Sequence, residues 1–338
     1  MMTKAIDTDR VSPQLRARGI DLEARELLIT RFDGSEQERD FSEPSNCAGL
    51  GRIRHFHRQT PEGWPENTLP IDPAARALGL DPAPDTLRAQ VFQNAVCNWR
   101  CWYCYVDFPL LSGNRDHAEM RSADALIELY RKETSPPAVI DLSGGQPDLV
   151  PEWVPWMIDA LSAHGLGDEV YLWSDDNLSN DYFFTKLSPE QRTIVDGCTS
   201  YGKVCCFKGF DSRSFAFNTA AAPELFERQF ELMGRLLRET EIDLFAYATF
   251  TTSEDQRVSE AIGNFVDRLQ ALDPNLPLRL VPLQVSAFTP TQPRMQPEHH
   301  RALAIQEEAI AAWNAELSRR FTVAELDRPI CDVSLQRD

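Results

Sequence analysis

A chain of 338 residues, 42% hydrophobic and 25% charged, is long enough for one large α/β domain with an extension, or for two modest domains, and needs no disulfides to close a core. Its formal net charge of −18 disfavours nucleic acid and anionic membranes as partners unless a local basic patch overrides it. No run approaches the roughly 18 apolar residues of a membrane helix, and the opening MMTKAIDTDRVSPQLRARGIDLEA lacks the apolar stretch of a secretory signal, so a cytoplasmic protein is expected.

Residues 1–86 hold turn-rich segments such as DGSEQERDFSEPSN and TPEGWPENTLPIDP and few periodic apolar runs. They read as an irregular N-terminal extension and a candidate lid, ended by a Pro-rich stretch before Leu87. Within them GRIRHFHR (51–58) gathers Arg52, Arg54, His55, His57 and Arg58 around Phe56. Such a patch could serve an anionic substrate or an RNA loop, but in an acidic chain it reads first as a solvated loop paired with neighbouring acids.

From Leu87 the pattern changes. Six β-prone runs recur: LRAQVFQNAV (87–96), AVIDLSG (138–144), EVYLWSD (169–175), KVCCFKGF (203–210), DLFAYATFTT (243–252) and LRLVPLQVS (278–286). Between them RSADALIELYRKE (121–133), PEWVPWMIDALSAH (151–164), APELFERQFELMGRLLRET (222–240) and SEDQRVSEAIGNFVDRLQAL (253–272) space apolar residues three and four apart, as amphipathic helices do. Trp153 and Trp156 fall at that spacing and read as core. This alternation implies parallel strands with right-handed crossovers. Six units are too few for an eight-fold barrel, so a partial, TIM-like (β/α)6 barrel over residues 87–297 fits the count. An open doubly wound sheet fits the pattern alone equally well. EHHRALAIQEEAIAAWNAELSRRF (298–321) reads as a further helix, opening a C-terminal segment over 298–338.

Eight cysteines occur, and in a long chain without a secretory signal they do not read as a disulfide framework. Cys97, Cys101 and Cys104 form CxxxCxxC in AVCNWRCWYCYVD (95–107), directly after the first β-prone run, where β/α folds place their chemistry. Thiolates suit iron–sulfur clusters or zinc. Three of them hold a [4Fe–4S] cube with one iron open to an exogenous chelate, whereas structural zinc wants four ligands, often from two CxxC knuckles. No second CxxC exists, and nothing in the spacing recommends His117 as a fourth ligand. A three-cysteine zinc site in a non-catalytic binding module is the rival reading. The other cysteines, Cys47, Cys198, Cys205, Cys206 and Cys331, read as small buried apolar residues, and adjacent Cys205 and Cys206 point to opposite faces of one strand.

On these residues the sequence resembles the radical S-adenosylmethionine (AdoMet, or SAM) superfamily, and in particular activating enzymes of the pyruvate formate-lyase type. In that resemblance Tyr103, just before the third cysteine, matches an aromatic position that lies against the adenine of AdoMet. LSGGQPDL (142–149) is similar to the family's GGEP motif with Gln146 in place of glutamate, which assigns Gly144, Gly145 and Gln146 to the methionine amino group, minus one charge. In WSDDN (173–177), Ser174 or Asp176 corresponds to a polar residue that touches the ribose or carboxylate; a turn and helix cap is the plain alternative. Lys208, in VCCFKGFDSRSFAFNT (204–219), matches a lysine that binds the AdoMet carboxylate; a solvent-exposed lysine is its plain alternative. The likeness spans about residues 87–320, is sharpest at the cysteines, and has no counterpart for residues 1–86.

The resemblance implies an enzyme. A donor such as flavodoxin or ferredoxin reduces the cluster, AdoMet on the open iron is cleaved, and the resulting 5′-deoxyadenosyl radical abstracts hydrogen from a substrate. That substrate is a protein, a peptide or a small molecule: either an activase attacks a partner enzyme's glycine, or a biosynthetic compound is modified. No catalytic side chain is singled out. Only Cys331 follows the last β-prone run, so no second cluster is expected.

Overall fold

The computed structural model of the chain describes residues 5–254 and 257–336. Among the described residues the strands are β1 (Ile20–Asp21), β2 (Glu26–Thr30), β3 (Gly51–His57), β4 (Thr86–Phe92), β5 (Ala118–Ser122), β6 (Val139–Leu142), β7 (Tyr171–Asp176), β8 (Tyr201–Phe207), β9 (Asp243–Thr249) and β10 (Leu280–Leu283). The α-helices are α1 (Thr8–Gly19), α2 (Ile71–Ala77), α3 (Ala123–Lys132), α4 (Trp153–Ala163), α5 (Tyr182–Lys186), α6 (Pro189–Asp196), α7 (Ser212–Thr219), α8 (Leu225–Glu239), α9 (Val258–Leu272), α10 (Pro297–Arg320) and α11 (Val323–Leu326).

Seven strands form one sheet in the order β10–β9–β8–β7–β6–β4–β3. All neighbours from β4 to β10 are parallel, and β3 runs antiparallel to β4 at the edge. Parallel neighbours cannot be joined by a tight turn, so each connection crosses over through at least one helix. β1, β2 and β5 make a small separate antiparallel sheet.

The two faces of the large sheet differ. On one, Ile140, Leu172, Phe207 and Leu244 pack with residues of α3, α4, α8, α9 and α10 in the main core. A doubly wound sheet would carry such helices on both faces; this one is a curled half-barrel. On the inner face Tyr171, Trp173, Val204 and Phe245 pack with Ile71 of α2 and with Ile330 and Cys331 near the C-terminus. Because alternate residues share a face, β6 and β7 continue this inner surface into Asp141 and Asp175, and β8 leads on to Lys208. The inner surface therefore turns from apolar to ionisable towards the C-terminal ends of the parallel strands, where β/α folds keep their chemistry.

Residues 5–86 carry more regular structure than the expected irregular extension. β3 pairs with β4 from Gly51↔Phe92 to His57↔Thr86, so the Pro-rich stretch before Leu87 joins two strands of one sheet. α1 packs Leu15 against Val96 and Leu149. Its sequence TDRVSPQLRARG is mostly polar, which hides it from a search for apolar periodicity. In the helix expected over 253–272, residues 255 and 256 lie outside the described residues, as do 1–4 of the N-terminal segment and 337–338 of the tail. No helix among the described residues is long and apolar enough to cross a membrane.

Candidate cofactor site

The loop after β4 carries the three cysteines and is held from several sides. The Cys97 N–H donates to the Leu111 carbonyl (3.0 Å), and the Cys104 N–H donates to the Cys101 carbonyl (3.0 Å). Arg100 Nη1 donates to the Cys97 carbonyl (2.6 Å), Arg294 Nη2 to the Cys104 carbonyl (2.5 Å), and Trp102 Nε1 to Asn218 Oδ1 (3.0 Å). From below, α1 supports it: Asn98 Nδ2 donates to Ser12 Oγ (3.0 Å) and Trp99 Nε1 to Thr8 Oγ1 (3.1 Å). The missed helix α1 is thus part of what shapes the cysteine loop.

All three cysteines are free thiols. Burial pushes Cys97 and Cys104 up and takes Cys101 to about 12; Lys208 pulls all three back, joined by Arg100 at Cys97 and by Arg294 at Cys104. Cys101 is also raised by Cys104 and Cys97, so the thiols sense one another. Bound metal would reverse that rise, since a coordinated thiol loses its proton. Among the described residues no three His, Cys, Asp or Glu side chains converge as ligands of one ion do, and His117 is exposed. A cubic cluster takes each thiolate on a different iron, so its ligands face a common body without meeting at a point. Three thiolates are a donor set that fits a cluster with one iron left open.

The loop after β6 presses directly on the cysteine loop. Gly144 and Gly145 have φ of 84° and 67°, and a Cβ on Gly145 would collide with the carbonyl oxygens of Asn94 and Val96. The Gln146 N–H donates to the Val96 carbonyl (2.7 Å), and Asn94 Nδ2 donates to the Gln146 carbonyl (2.8 Å). Gln146 Nε2 also donates to Asp176 Oδ1 (2.8 Å), while its Oε1 accepts the Asn177 N–H (3.0 Å). Gln146 and Asp176 therefore meet, but in each other's hydrogen bonds.

Ser174 and Asp176 do not face the inner surface. They share the helix-facing side of β7 with Leu172, where Ser174 Oγ pairs with the Tyr201 hydroxyl (2.7 Å). It is Asp175, between them, that points inward. Beneath the β6 loop lies a network that sequence reasoning missed: fully buried Lys203 Nζ donates to both oxygens of Asp148 (2.7 Å each) and stands 3.7 Å from Asp176. Burial and the Asp176 carboxylate push Asp148 up to about 8, against the pull of Lys203. One cation between two buried carboxylates thus favours a proton on Asp148. A lysine inside the apolar run KVCCF was the available signal, because a buried lysine requires a partner.

On the inner side the structure brings Cys101, Tyr103 and Lys208 together. Burial works against the Lys208 charge, but Cys206, Tyr103, Cys101 and Asp175 around it hold the amine well above its ordinary value. Tyr103 is buried with its hydroxyl 2.9 Å from Thr249 Oγ1. Beside them Ser143 Oγ donates to Asp175 Oδ2 (3.0 Å) and lies 3.1 Å from the Tyr105 hydroxyl, and Arg54 Nη1 reaches Asp141 Oδ2 (3.5 Å). Burial, with Asp175 nearby, pushes Asp141 up to about 7. Cys205 lies in the helix-side core and Cys206 on the inner face.

No protein-family model matches the sequence, and no curated protein matches it. Among solved structures, the chain is similar to Streptococcus suis SuiB bound to S-adenosylmethionine, with 15% identity, TM-score 0.36, and coverage of 52% of this chain and 36% of that one. It is also similar to SuiB bound to the precursor peptide SuiA (15%, TM-score 0.36, 53% and 36%). A third match is anSMEcpe with bound AdoMet (12%, TM-score 0.37, 52% and 45%). The chain thus spans less than half the length of these solved chains.

Proposed function

We propose that the chain is a radical AdoMet enzyme on a partial (β/α)6 barrel, with a [4Fe–4S] cluster on Cys97, Cys101 and Cys104. The observation that carries this reading is the CxxxCxxC loop at the end of the first parallel strand, whose three free thiols, one buried and two half-buried, sense one another and Lys208. When bound, cluster and AdoMet supply a one-electron cleavage that yields methionine and a 5′-deoxyadenosyl radical for hydrogen abstraction. The electron comes from an external donor such as a flavodoxin or a ferredoxin.

The chain's own residues bind, orient and exclude water. Arg100 and Arg294 fix the carbonyls of Cys97 and Cys104 and so the spacing of the thiols. Lys208 offers a cation to the AdoMet carboxylate, and Tyr103 a flat apolar surface to adenine. Gly144, Gly145 and Gln146 act chiefly by seating the β6 loop against the cysteine loop. The lid role of the N-terminal segment is supported by Asp40, which accepts the Thr289 N–H (2.9 Å) and hydroxyl (2.6 Å) and straps residues 36–40 to the chain after β10. Such a strap keeps water from a reactive carbon radical.

The activase reading rests on the sequence around Lys208. The reading as modification of a small molecule or peptide is supported by a cavity of about 530 Å³ beside Tyr105, a size that suits a small ligand. Anaerobic reconstitution tests the proposal. About four irons per chain and 5′-deoxyadenosine formed with a reductant are expected for three-cysteine cluster chemistry, with both lost in Cys101→Ala. Stoichiometric zinc and no AdoMet cleavage would replace it with the zinc-module reading.

A further inference from the structure

The GRIRHFHR segment is not the solvated loop its composition suggests. As β3 it carries Arg52 and Arg54 onto the inner face of the sheet, beside the cavity of about 530 Å³ that Phe41, Tyr105 and Phe288 also line. Arg52 is only 8% exposed, and its Nε has no hydrogen-bond partner. Its guanidinium stands 5.2 Å from the Phe41 ring centroid and 5.3 Å from that of Tyr105, whose hydroxyl is its polar neighbour. Among the described residues no carboxylate lies within ion-pair distance of Arg52, and Asp141, which also favours its charge from further off, pairs with Arg54 at 3.5 Å. Asp40 also lines the cavity, but its oxygens are engaged by Thr289.

A buried guanidinium without a direct ion-pair partner is costly, and its planar fork matches the oxygens of a carboxylate or a phosphate. Aromatic walls on either side suit a flat apolar body attached to that anion. Tyr105 follows Cys104 directly, and its hydroxyl reaches Ser143 at the start of the glycine loop, so the cavity opens beside the candidate cofactor site.

We infer that this cavity binds the oxyanion, a carboxylate or a phosphate, of a small substrate with a flat apolar body, and that Arg52 is its principal partner. That the bound compound is the substrate rests on the radical AdoMet reading; the binding does not.

Calorimetry on the 338-residue chain tests this with benzoate, phenyl phosphate and the neutral benzamide. At least one anion binds at one site per chain while benzamide does not, and the tighter anion tells carboxylate from phosphate. Arg52→Gln weakens the anion by about tenfold to a hundredfold, the usual range for a charge-assisted contact, and Arg52→Lys by less. Phe288→Trp, at a partly exposed rim position, narrows the cavity and weakens the anion even if Arg52→Gln does not fold. The inference is overturned if neither anion binds, if benzamide binds as tightly, or if both Arg52→Gln and Phe288→Trp bind the anion like the wild type. AdoMet cleavage by the reconstituted wild type is scored separately. Its absence with anion binding intact removes the enzymatic reading alone, and its presence without anion binding removes this site alone.

Discussion

Replacing Lys203 with methionine probes the buried network that anchors the glycine loop. Methionine keeps an apolar stem of similar length and removes the charge. Two carboxylates, Asp148 and Asp176, then share a fully buried site with no other cation within 4 Å among the described residues. The pair already retains one proton, as the upward shift of Asp148 indicates. A second must be taken up to leave no buried charge. Protonating a carboxyl of unfolded pKa about 3.9 costs about 4 kcal/mol at pH 7 and about 1.5 kcal/mol at pH 5. The first figure agrees with the roughly 3–5 kcal/mol measured for breaking buried pairs elsewhere. Urea unfolding at the two pH values reads the difference, and Lys203→Met combined with Asp148→Asn should recover most of the loss. A penalty that is the same at both pH values, or below about 1 kcal/mol, would refute the reasoning, as would a double variant no more stable than the single one.

Asp148→Asn alone should flatten the pH dependence of stability. The folded pKa of Asp148 is raised, so its contribution is fully present below the unfolded value and is lost as pH rises through about 8; wild-type stability measured by urea unfolding should fall over that window. Gly145→Ala should cost roughly 2–4 kcal/mol and lower iron content after reconstitution, because the new methyl meets the Asn94 and Val96 carbonyls at a positive φ. Lys208→Met should retain iron but bind AdoMet about tenfold more weakly in equilibrium dialysis. Asp40→Ala should change stability by no more than about 1 kcal/mol, yet speed amide hydrogen exchange over Glu36–Asp40 and raise 5′-deoxyadenosine formed without substrate.

The six parallel strands and the longer helices were legible because each satisfies its own periodicity: Phe226, Phe230, Met233 and Leu237 fall on one side of α8 whatever surrounds it. The cysteine loop was legible from spacing alone. What stayed hidden lacked local periodicity. α1 is held to the body by side-chain hydrogen bonds such as Ser12 with Asn98 more than by an apolar stripe. β3 has two arginines where a buried strand ordinarily has apolar residues, and its burial follows from pairing with β4, which no local pattern encodes. Lys203 and Asp148 are 55 positions apart and become a pair only when β8 is laid beside β7.

The choice between Ser174 and Asp176 shows where such a reading fails. Both sit at the end of the third parallel strand, and the resemblance offers either. Strand parity decides the matter: Leu172 is in the helix-side core and Trp173 in the inner cluster, so even-numbered residues of β7 face the helices and odd-numbered ones the interior. Asp176 is thereby committed to Gln146 and Lys203, and Asp175 is the carboxylate turned towards Ser143 and Lys208. The same parity separates Lys203 from Lys208 on β8 and its continuation, one holding the loops in place and the other facing the candidate cofactor site. Neighbouring residues of like chemistry thus serve opposite sides of one sheet. A one-residue slip in register would exchange them, burying Asp175 beneath the glycine loop and exposing Asp176 to the interior. The paired ions on the helix side oppose that slip, since Lys203 can meet Asp148 and Asp176 together only in the observed register.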